Sequence, residues 1–197
     1  MKNRGGTSVL IVDDDPDIAD TYASQLGDRY DVTTTYSGRA GVAALDPSID
    51  VVLLDRRMPD ISGNEVLETI RERGLEARVA MVTAEEPDFD IIEMPFDDYV
   101  QKPVSESDLL ETVGHLEQFV DYEEAVREYY ALTAKRAALL DSKSESERAA
   151  SERFRELERD IESKRRCLSD IVSEFDAADF DRAFKDIARP QSPPSAD

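Results

Sequence analysis

The sequence predicts an α/β fold, a doubly wound five-stranded parallel sheet, followed by a C-terminal α-helical hairpin or coiled-coil module. In the first part of the chain, helical patterns alternate with apolar strand-like runs at about 8–12, 31–35, 50–54, 78–83 and 98–101. This alternation favours a parallel sheet with helices on both faces. The run Val51–Leu54 is apolar at every position, which is typical of a strand buried on both sides. After residue 119 the alternation stops.

Two amphipathic segments in the last third of the chain predict the helical hairpin. Large side chains recur at alternating spacings of four and three residues in 122–140 and again in 154–175, where Lys164 is the one charged intrusion. This spacing is that of a coiled-coil seam. Between the two segments, Ser144 and Glu147 have the pattern of a capping box, which predicts the start of a helix.

The chain is strongly acidic, with 45 acidic and 24 basic residues and a formal charge of −21. Such a lysine-poor surface resembles proteins of salt-loving organisms, in which molar salt shortens the Debye length to about 3 Å and screens self-repulsion. We therefore expect salt to favour the folded state. The acidity disfavours bulk attraction to DNA, although Lys164, Arg165 and Arg166 form a local basic cluster. No apolar run approaches the length of a membrane span, so a cytoplasmic protein is expected.

Polar side chains stand where four of the predicted strands end. Asp13 and Asp14 follow the first strand, Asp55 follows the third, Thr83 ends the fourth, and Lys102 follows the fifth. Because the carboxyl ends of parallel strands meet at one edge of a sheet, we expect these side chains to lie close together. Neighbouring carboxylates repel each other unless a cation lies among them, and oxygen ligands suit Mg²⁺. A hydroxyl and an ammonium group beside them suit phosphoryl transfer.

Each of these residues also has an ordinary structural interpretation. Asp15–Pro16 has the pattern of a helix N-cap followed by proline in the first turn. Taken alone, Asp13 and Asp14 are as readily explained as caps as they are as ligands. Thr83 alone is most often an ordinary strand-end residue, and Lys102 alone is usually solvated. Their joint occurrence, in order, at successive strand ends favours the phosphoryl-transfer site.

Further motifs surround these positions. Met58–Pro59 and Gly63 follow Asp55, and Lys102 is followed by Pro103. With these motifs, residues 5–119 resemble a response-regulator receiver domain of the CheY-like, flavodoxin-like fold, the phosphate-accepting half of a two-component system. The resemblance implies that Asp55 accepts a phosphoryl group from a sensor histidine kinase.

The resemblance also implies a role for each residue of the site. It assigns a Mg²⁺ ion to Asp13, Asp14, Asp55 and the backbone carbonyl of Arg57. It assigns the phosphate-contacting and switch roles to Thr83, Tyr99 and Lys102, and it places a cis peptide bond before Pro103. It implies only Mg²⁺-dependent phosphorylation and dephosphorylation of the protein itself, and not an enzyme in the usual sense.

The second part of the chain resembles the HalX domain that follows receivers in haloarchaeal regulators. This similarity covers residues 120–188, including a short amphipathic segment at Phe180–Ile187, and implies an output or dimerisation module. The proline-rich tail, 189–197, is predicted to be disordered. Two arrangements of the C-terminal helices stay open: the helical pair closes within one chain, or it closes between two chains as a homodimer. Two alternatives stay open: a DNA-binding transcription regulator acting through these helices, and a hydrolase that uses the acidic pocket on small phosphate esters.

The segment after Thr83 departs from the usual receiver pattern. It is short for the family up to Lys102, and it contains two prolines, Pro87 and Pro95, among clustered acids. Because proline interrupts helices, little room is left for a regular helix here. We expect a short or irregular fourth helix.

The pair Arg56–Arg57 directly after Asp55 is a second departure. The guanidinium group of Arg57 is close enough in sequence to contact a phosphoryl group on Asp55. It would equally well offset the charge of neighbouring acids. The sequence does not decide between these two interpretations.

Overall fold

The computed structural model describes residues 6–174, and the predicted five-stranded sheet is confirmed. The strands are β1 (Ser8–Val12), β2 (Asp31–Thr35), β3 (Val51–Leu54), β4 (Arg78–Thr83) and β5 (Asp98–Gln101). They lie in the order β2-β1-β3-β4-β5, and every neighbouring pair is parallel. The third strand begins one residue later than predicted.

Six α-helices are present among the described residues. They are α1 (Pro16–Leu26), α2 (Gly38–Ala44), α3 (Gly63–Glu72), α4 (Glu106–Ser142), α5 (Glu145–Ala150) and α6 (Glu152–Glu174). Between β4 and β5 there is only a five-residue 3-10 helix, Phe89–Glu93, with Pro87 before it and Pro95 after it. The expectation of a short or irregular helix between β4 and β5 is therefore confirmed. The two prolines explain why this helix is not longer.

Alternate side chains of β1, β3 and β4 enter two separate apolar cores. On one face of the sheet, Val9 and Ile11 of β1 pack with α1 and with the beginning of α4. On the other face, Leu10 and Val12 pack with α3. All four side chains are almost fully buried. The sheet is thus covered on both sides, as the continuously apolar strands require.

A buried ion network joins the starts of β4 and β5 to α3. The Asp97 carboxylate, 6% exposed, pairs with Arg78 at 2.7 Å and with Arg71 at 2.9 Å. It also accepts a hydrogen bond from the backbone N–H of Val79 at 2.7 Å. The Arg71 guanidinium group donates further to two main-chain carbonyls. Each charge in this network therefore has a close partner, which is what burial of charges requires.

The chain divides into two compact units, residues 1–120 and 121–197. The division falls inside α4, which continues without a break from Glu106 to Ser142. The predicted limits of the two domains, 5–119 and 120–188, stay a prediction. The expected helix at Phe180–Ile187 and the expected disordered tail lie outside the described residues.

The second unit contains an antiparallel helical hairpin, as the spacing of its apolar residues predicts. Glu128 on α4 pairs with Lys164 on α6. Two turns further along α4, Arg136 pairs with Glu158 at 2.7 Å. Because the partner residue number falls on α6 as it rises on α4, the two helices run in opposite directions. The predicted hairpin is confirmed for the described residues.

The second arm of the hairpin is divided by a local cap. Ser144 and Glu147 form the predicted capping box at the start of α5, and hydrogen bonds from the Ser144 N–H and hydroxyl lower the pKa of Glu147 to about 2. However, α5 ends at Ala150, because Ser151 is extended (φ −88°, ψ 116°). The Ser151 hydroxyl then accepts a hydrogen bond from the N–H of Phe154. This serine caps the new helix α6, an interruption that the apolar spacing does not predict.

Candidate functional site

Four strand ends place the predicted site residues at one edge of the sheet. Asp55 follows β3, and its N–H donates to the carbonyl of Val12 at the end of β1, at 2.8 Å. Lys102 follows β5, and its N–H donates to the carbonyl of Thr83 at the end of β4, also at 2.8 Å. The parallel ladder therefore continues past the strands and fixes these residues beside each other.

Three acidic side chains meet at this edge. Asp13, Asp14 and Asp55 each present a carboxylate oxygen, and these three oxygens lie within 4.8 Å of one another. Asp13 is buried, Asp55 is half-buried, and Asp14 is exposed. The group is therefore open to solvent on one side. Burial raises the pKa of Asp13, and the hydrogen bond from Lys102 opposes that rise.

The neighbouring Asp15 caps the helix α1 and is not part of the acidic group. Its carboxylate accepts hydrogen bonds from the N–H groups of Asp17 at 3.0 Å and Ile18 at 3.3 Å. It is therefore the N-cap of α1, with Pro16 as the first helical residue. The N-cap prediction is confirmed for Asp15. In contrast, Asp13 and Asp14 are not used as caps of this helix.

The Lys102 ammonium group lies between two of the acids. Its Nζ is 2.6 Å from Asp13 Oδ2 and 3.0 Å from Asp55 Oδ2. Burial lowers the pKa of Lys102, but the hydrogen bonds and charges of Asp13 and Asp55 together raise it above its ordinary value. The side chain therefore carries a positive charge at neutral pH. The Lys102–Pro103 peptide bond is cis.

Thr83 and Tyr99 are linked through a residue that the sequence did not single out, Glu85. The Thr83 hydroxyl, which is buried, accepts a hydrogen bond from the Glu85 N–H at 3.3 Å. The Tyr99 hydroxyl donates to the Glu85 main-chain carbonyl at 3.0 Å. The two residues expected to act as a switch, one at the end of β4 and one in β5, thus both contact the main chain of Glu85.

The Glu85 carboxylate contacts both arginines that follow Asp55. Its Oε2 is 3.1 Å from Nε of Arg56, and its Oε1 contacts Nε of Arg57. The Arg57 N–H also donates to Asp55 Oδ1 at 3.3 Å. In this structure Arg57 therefore offsets an acid, the second of its two interpretations. In the sequence, acids follow the end of β4 as arginines follow the end of β3, but this signal does not distinguish Glu85 from Glu86.

Gly63, the first residue of α3, lies very close to the backbone of Asp55. A Cβ atom at Gly63 would lie 2.2 Å from the main-chain oxygen of Asp55. Ser62 and Glu65 form a capping box that fixes this start of the helix. Only glycine therefore allows α3 to begin so close to the acidic group.

The basic cluster of the second unit is engaged in contacts within its own hairpin. Lys164 pairs with Glu128, and Arg165 lies 3.4 Å from the Glu162 carboxylate. The Arg166 guanidinium group donates to the main-chain carbonyl of Glu162 at 3.4 Å. No contact of these residues favours the DNA-binding alternative. Within residues 6–174, no helix combines the length and the apolar character needed to cross a bilayer.

The sheet order and its covering helices are those of a receiver domain, and comparison with known families agrees. Residues 9–114 match the family model described as the response regulator receiver domain. Residues 119–184 match the HalX domain. The chain therefore belongs to the response regulator family, with a receiver domain followed by a HalX domain. Both resemblances predicted from the sequence are confirmed.

Individual relatives support the same assignment. A Haloferax volcanii protein with the name "Putative transcriptional regulator" is 52% identical over 158 residues, covering 80% of this chain and 27% of the relative. The response regulator SaeR of Staphylococcus aureus is 35% identical over 116 residues, covering 56% of this chain and 50% of the relative. The matched part of the chain thus spans about a quarter of the length of the first relative and half of the length of the second.

A solved structure shows the same fold. The signal receiver domain of a Vibrio parahaemolyticus protein superposes with a TM-score of 0.58 and is 25% identical. The match covers 61% of this chain and 97% of that domain. The part of the chain that it covers is thus similar to an entire receiver domain.

Proposed function

We propose that Asp55 accepts a phosphoryl group from a sensor histidine kinase in the cytoplasm, and that the helices after residue 120 carry the signal onward. One observation supports this most strongly: the Lys102 ammonium group contacts both Asp13 and Asp55 at the carboxyl edge of a receiver-type sheet. An acid beside a fixed cation and a buried hydroxyl is suited to holding a phosphoryl group.

The donor set at this edge fits a Mg²⁺ ion. Three carboxylates with oxygens within 4.8 Å, one of them open to solvent, match an ion that prefers carboxylates, water and phosphate oxygens. Asp13, Asp14, Asp55 and the carbonyl of Arg57 would hold it. When bound, the ion supplies neutralisation of the charge on the phosphoryl oxygens.

The protein's own residues would act around Asp55 as follows. An oxygen of the Asp55 carboxylate attacks the phosphorus of phosphohistidine, and the N–P bond breaks with its electron pair remaining on the imidazole. The ammonium group of Lys102, already held beside Asp55 at 3.0 Å, pairs with the phosphoryl oxygens. The Thr83 hydroxyl donates a hydrogen bond to the same group. The chemistry is limited to phosphorylation and dephosphorylation of the chain itself.

Phosphorylation would then act on the loop that joins Thr83 to Tyr99. Turning the Thr83 hydroxyl toward the phosphoryl group changes its relation to Glu85, whose carbonyl holds the Tyr99 hydroxyl. The Thr83 hydroxyl thus has two arrangements, one that accepts from the Glu85 N–H and one that donates to the phosphoryl group. Because the phosphoryl group is contacted only in the second, phosphorylation shifts the equilibrium toward it. The signal therefore leaves the site through β5.

The test of the acceptor is direct labelling. Acetyl phosphate with Mg²⁺ should add one acid-labile phosphoryl group to the full chain, and Asp55→Asn should abolish labelling because the nucleophilic oxygen is lost. Asp28→Asn removes the same charge from an exposed position and serves as the matched control. Labelling that survives in Asp55→Asn would contradict the assignment of Asp55.

We further propose that the C-terminal helices form a homodimer when Asp55 is phosphorylated. The apolar residues of α6, such as Leu157, Ile161 and Leu168, are only half-buried in the single chain, so a second copy would bury them further. Light scattering should show the mass rising toward that of two chains on addition of beryllofluoride, a phosphoryl mimic, and Mg²⁺. A mass of one chain in both states would contradict this proposal.

A further inference from the structure

Glu85 contacts four residues of the site, but the proposed function gives its carboxylate no role. Its carboxylate contacts the consecutive residues Arg56 and Arg57. Its main-chain N–H donates to the Thr83 hydroxyl, and its main-chain carbonyl accepts a hydrogen bond from the Tyr99 hydroxyl. One residue thus connects the loop that follows β3, the end of β4, and β5. A group in that position is able to couple them.

The two arginines differ in how firmly Glu85 holds them. The side chains of Arg56 and Glu85 are 12% and 20% exposed, so their ion pair is largely shielded from water. The Arg57 side chain is 81% exposed. Exposed ion pairs contribute little free energy and exchange partners easily. Arg57 is therefore the arginine that is able to leave Glu85.

A second anion would lie within reach of Arg57. Its N–H already donates to Asp55 Oδ1, so the residue lies beside the proposed acceptor. Phosphorylation would replace the single carboxylate charge of Asp55 by a phosphoryl group that carries about two negative charges. Guanidinium groups form charge-assisted, often bidentate hydrogen bonds with phosphoryl oxygens, as they do with carboxylate oxygens.

We propose that Glu85 is a positioning residue: its carboxylate holds Arg57 in the resting protein, and a phosphoryl group on Asp55 competes with it for that arginine. This inference rests on the proposed function of Asp55. When Arg57 moves to the phosphoryl group, Glu85 loses one of its two cationic partners.

The test measures the affinity of the full chain for beryllofluoride in the presence of Mg²⁺ and molar potassium chloride. Glu85→Gln removes the competing charge, so beryllofluoride should bind about threefold more tightly, the size expected for an exposed ion pair. Glu86→Gln is the matched control, because it removes the same charge from the next residue, which is exposed. Its affinity should equal that of the unaltered chain.

A double-mutant cycle separates this competition from a general loss of charge or structure. In the Arg57→Gln background, Glu85→Gln should have no further effect on affinity. Equal affinities for Glu85→Gln and Glu86→Gln, or an undiminished effect of Glu85→Gln without Arg57, would overturn the proposal. An unaltered chain that fails to bind beryllofluoride would instead count against Asp55 as the acceptor.

Melting temperatures show whether each variant is folded. Gln at position 85 still offers an oxygen to the shielded Arg56, so a folded protein is expected. If Glu85→Gln is unfolded, Glu85→Asp retains the charge near Arg56 and draws it back from the exposed Arg57. The same tightening is then expected, and its absence would overturn the proposal.

Discussion

Replacing Asp97 by alanine is expected to lower the free energy of unfolding by about 3–5 kcal/mol. The carboxylate is 6% exposed and contacts both Arg71 and Arg78. Removing it leaves two guanidinium groups largely buried without their common counter-charge. It also removes the acceptor for the N–H of Val79 at the start of β4, so the sheet loses a main-chain anchor as well.

Denaturant unfolding at constant high salt measures this effect. Glu93→Ala is the control, because it truncates an acid at the exposed end of the 3-10 helix and should change stability by less than about 0.5 kcal/mol. A loss for Asp97→Ala no greater than that for Glu93→Ala would show that the network does not stabilise the sheet.

Replacing Gly63 by alanine is expected to lower the free energy of unfolding by about 3 kcal/mol, at the upper end of the cost of overpacking. The added Cβ would lie 2.2 Å from the Asp55 carbonyl and 2.9 Å from the Cα of Arg56. Both obstacles are backbone, so no side-chain rotation relieves them. Because the displaced backbone carries Asp55, labelling by acetyl phosphate should also fall.

Gly114→Ala is the matched control, since a Cβ at this position in α4 meets nothing within 4 Å. Alanine favours helix over glycine, so this variant should gain about 0.5–1 kcal/mol. The same chemical change is therefore expected to have opposite signs at two positions. If Gly63→Ala unfolds at the same denaturant concentration as the unaltered chain, the close approach of α3 to Asp55 is wrong.

The sheet and its polar edge could be predicted because their signals are local. Runs such as Val51–Leu54 determine burial on both faces, and the residue that follows each run is placed at the edge by the parallel topology. The irregular segment before β5 followed from Pro87 and Pro95, since proline acts on the backbone wherever it stands. These features need no knowledge of distant contacts.

Other features depend on contacts between residues far apart in sequence. Glu85 meets Arg56 and Arg57 only because β3 and β4 are neighbours, and charge alone does not indicate which of many acids will form the pair. The Asp97 network likewise joins Arg71 and Arg78 across two elements. The break at Ser151 could not be predicted from periodicity, because a serine cap competes with a continuing helix and both fit the pattern.

The most direct test of the central claim is to locate the phosphoryl group itself. The full chain, treated with acetyl phosphate and Mg²⁺, can be reduced with borohydride, which converts an acyl phosphate to a stable alcohol, and then mapped by peptide mass spectrometry. Conversion is expected at Asp55, the acid that Lys102 contacts. Conversion at Asp13 or Asp14 instead, with Asp55 unchanged, would contradict it.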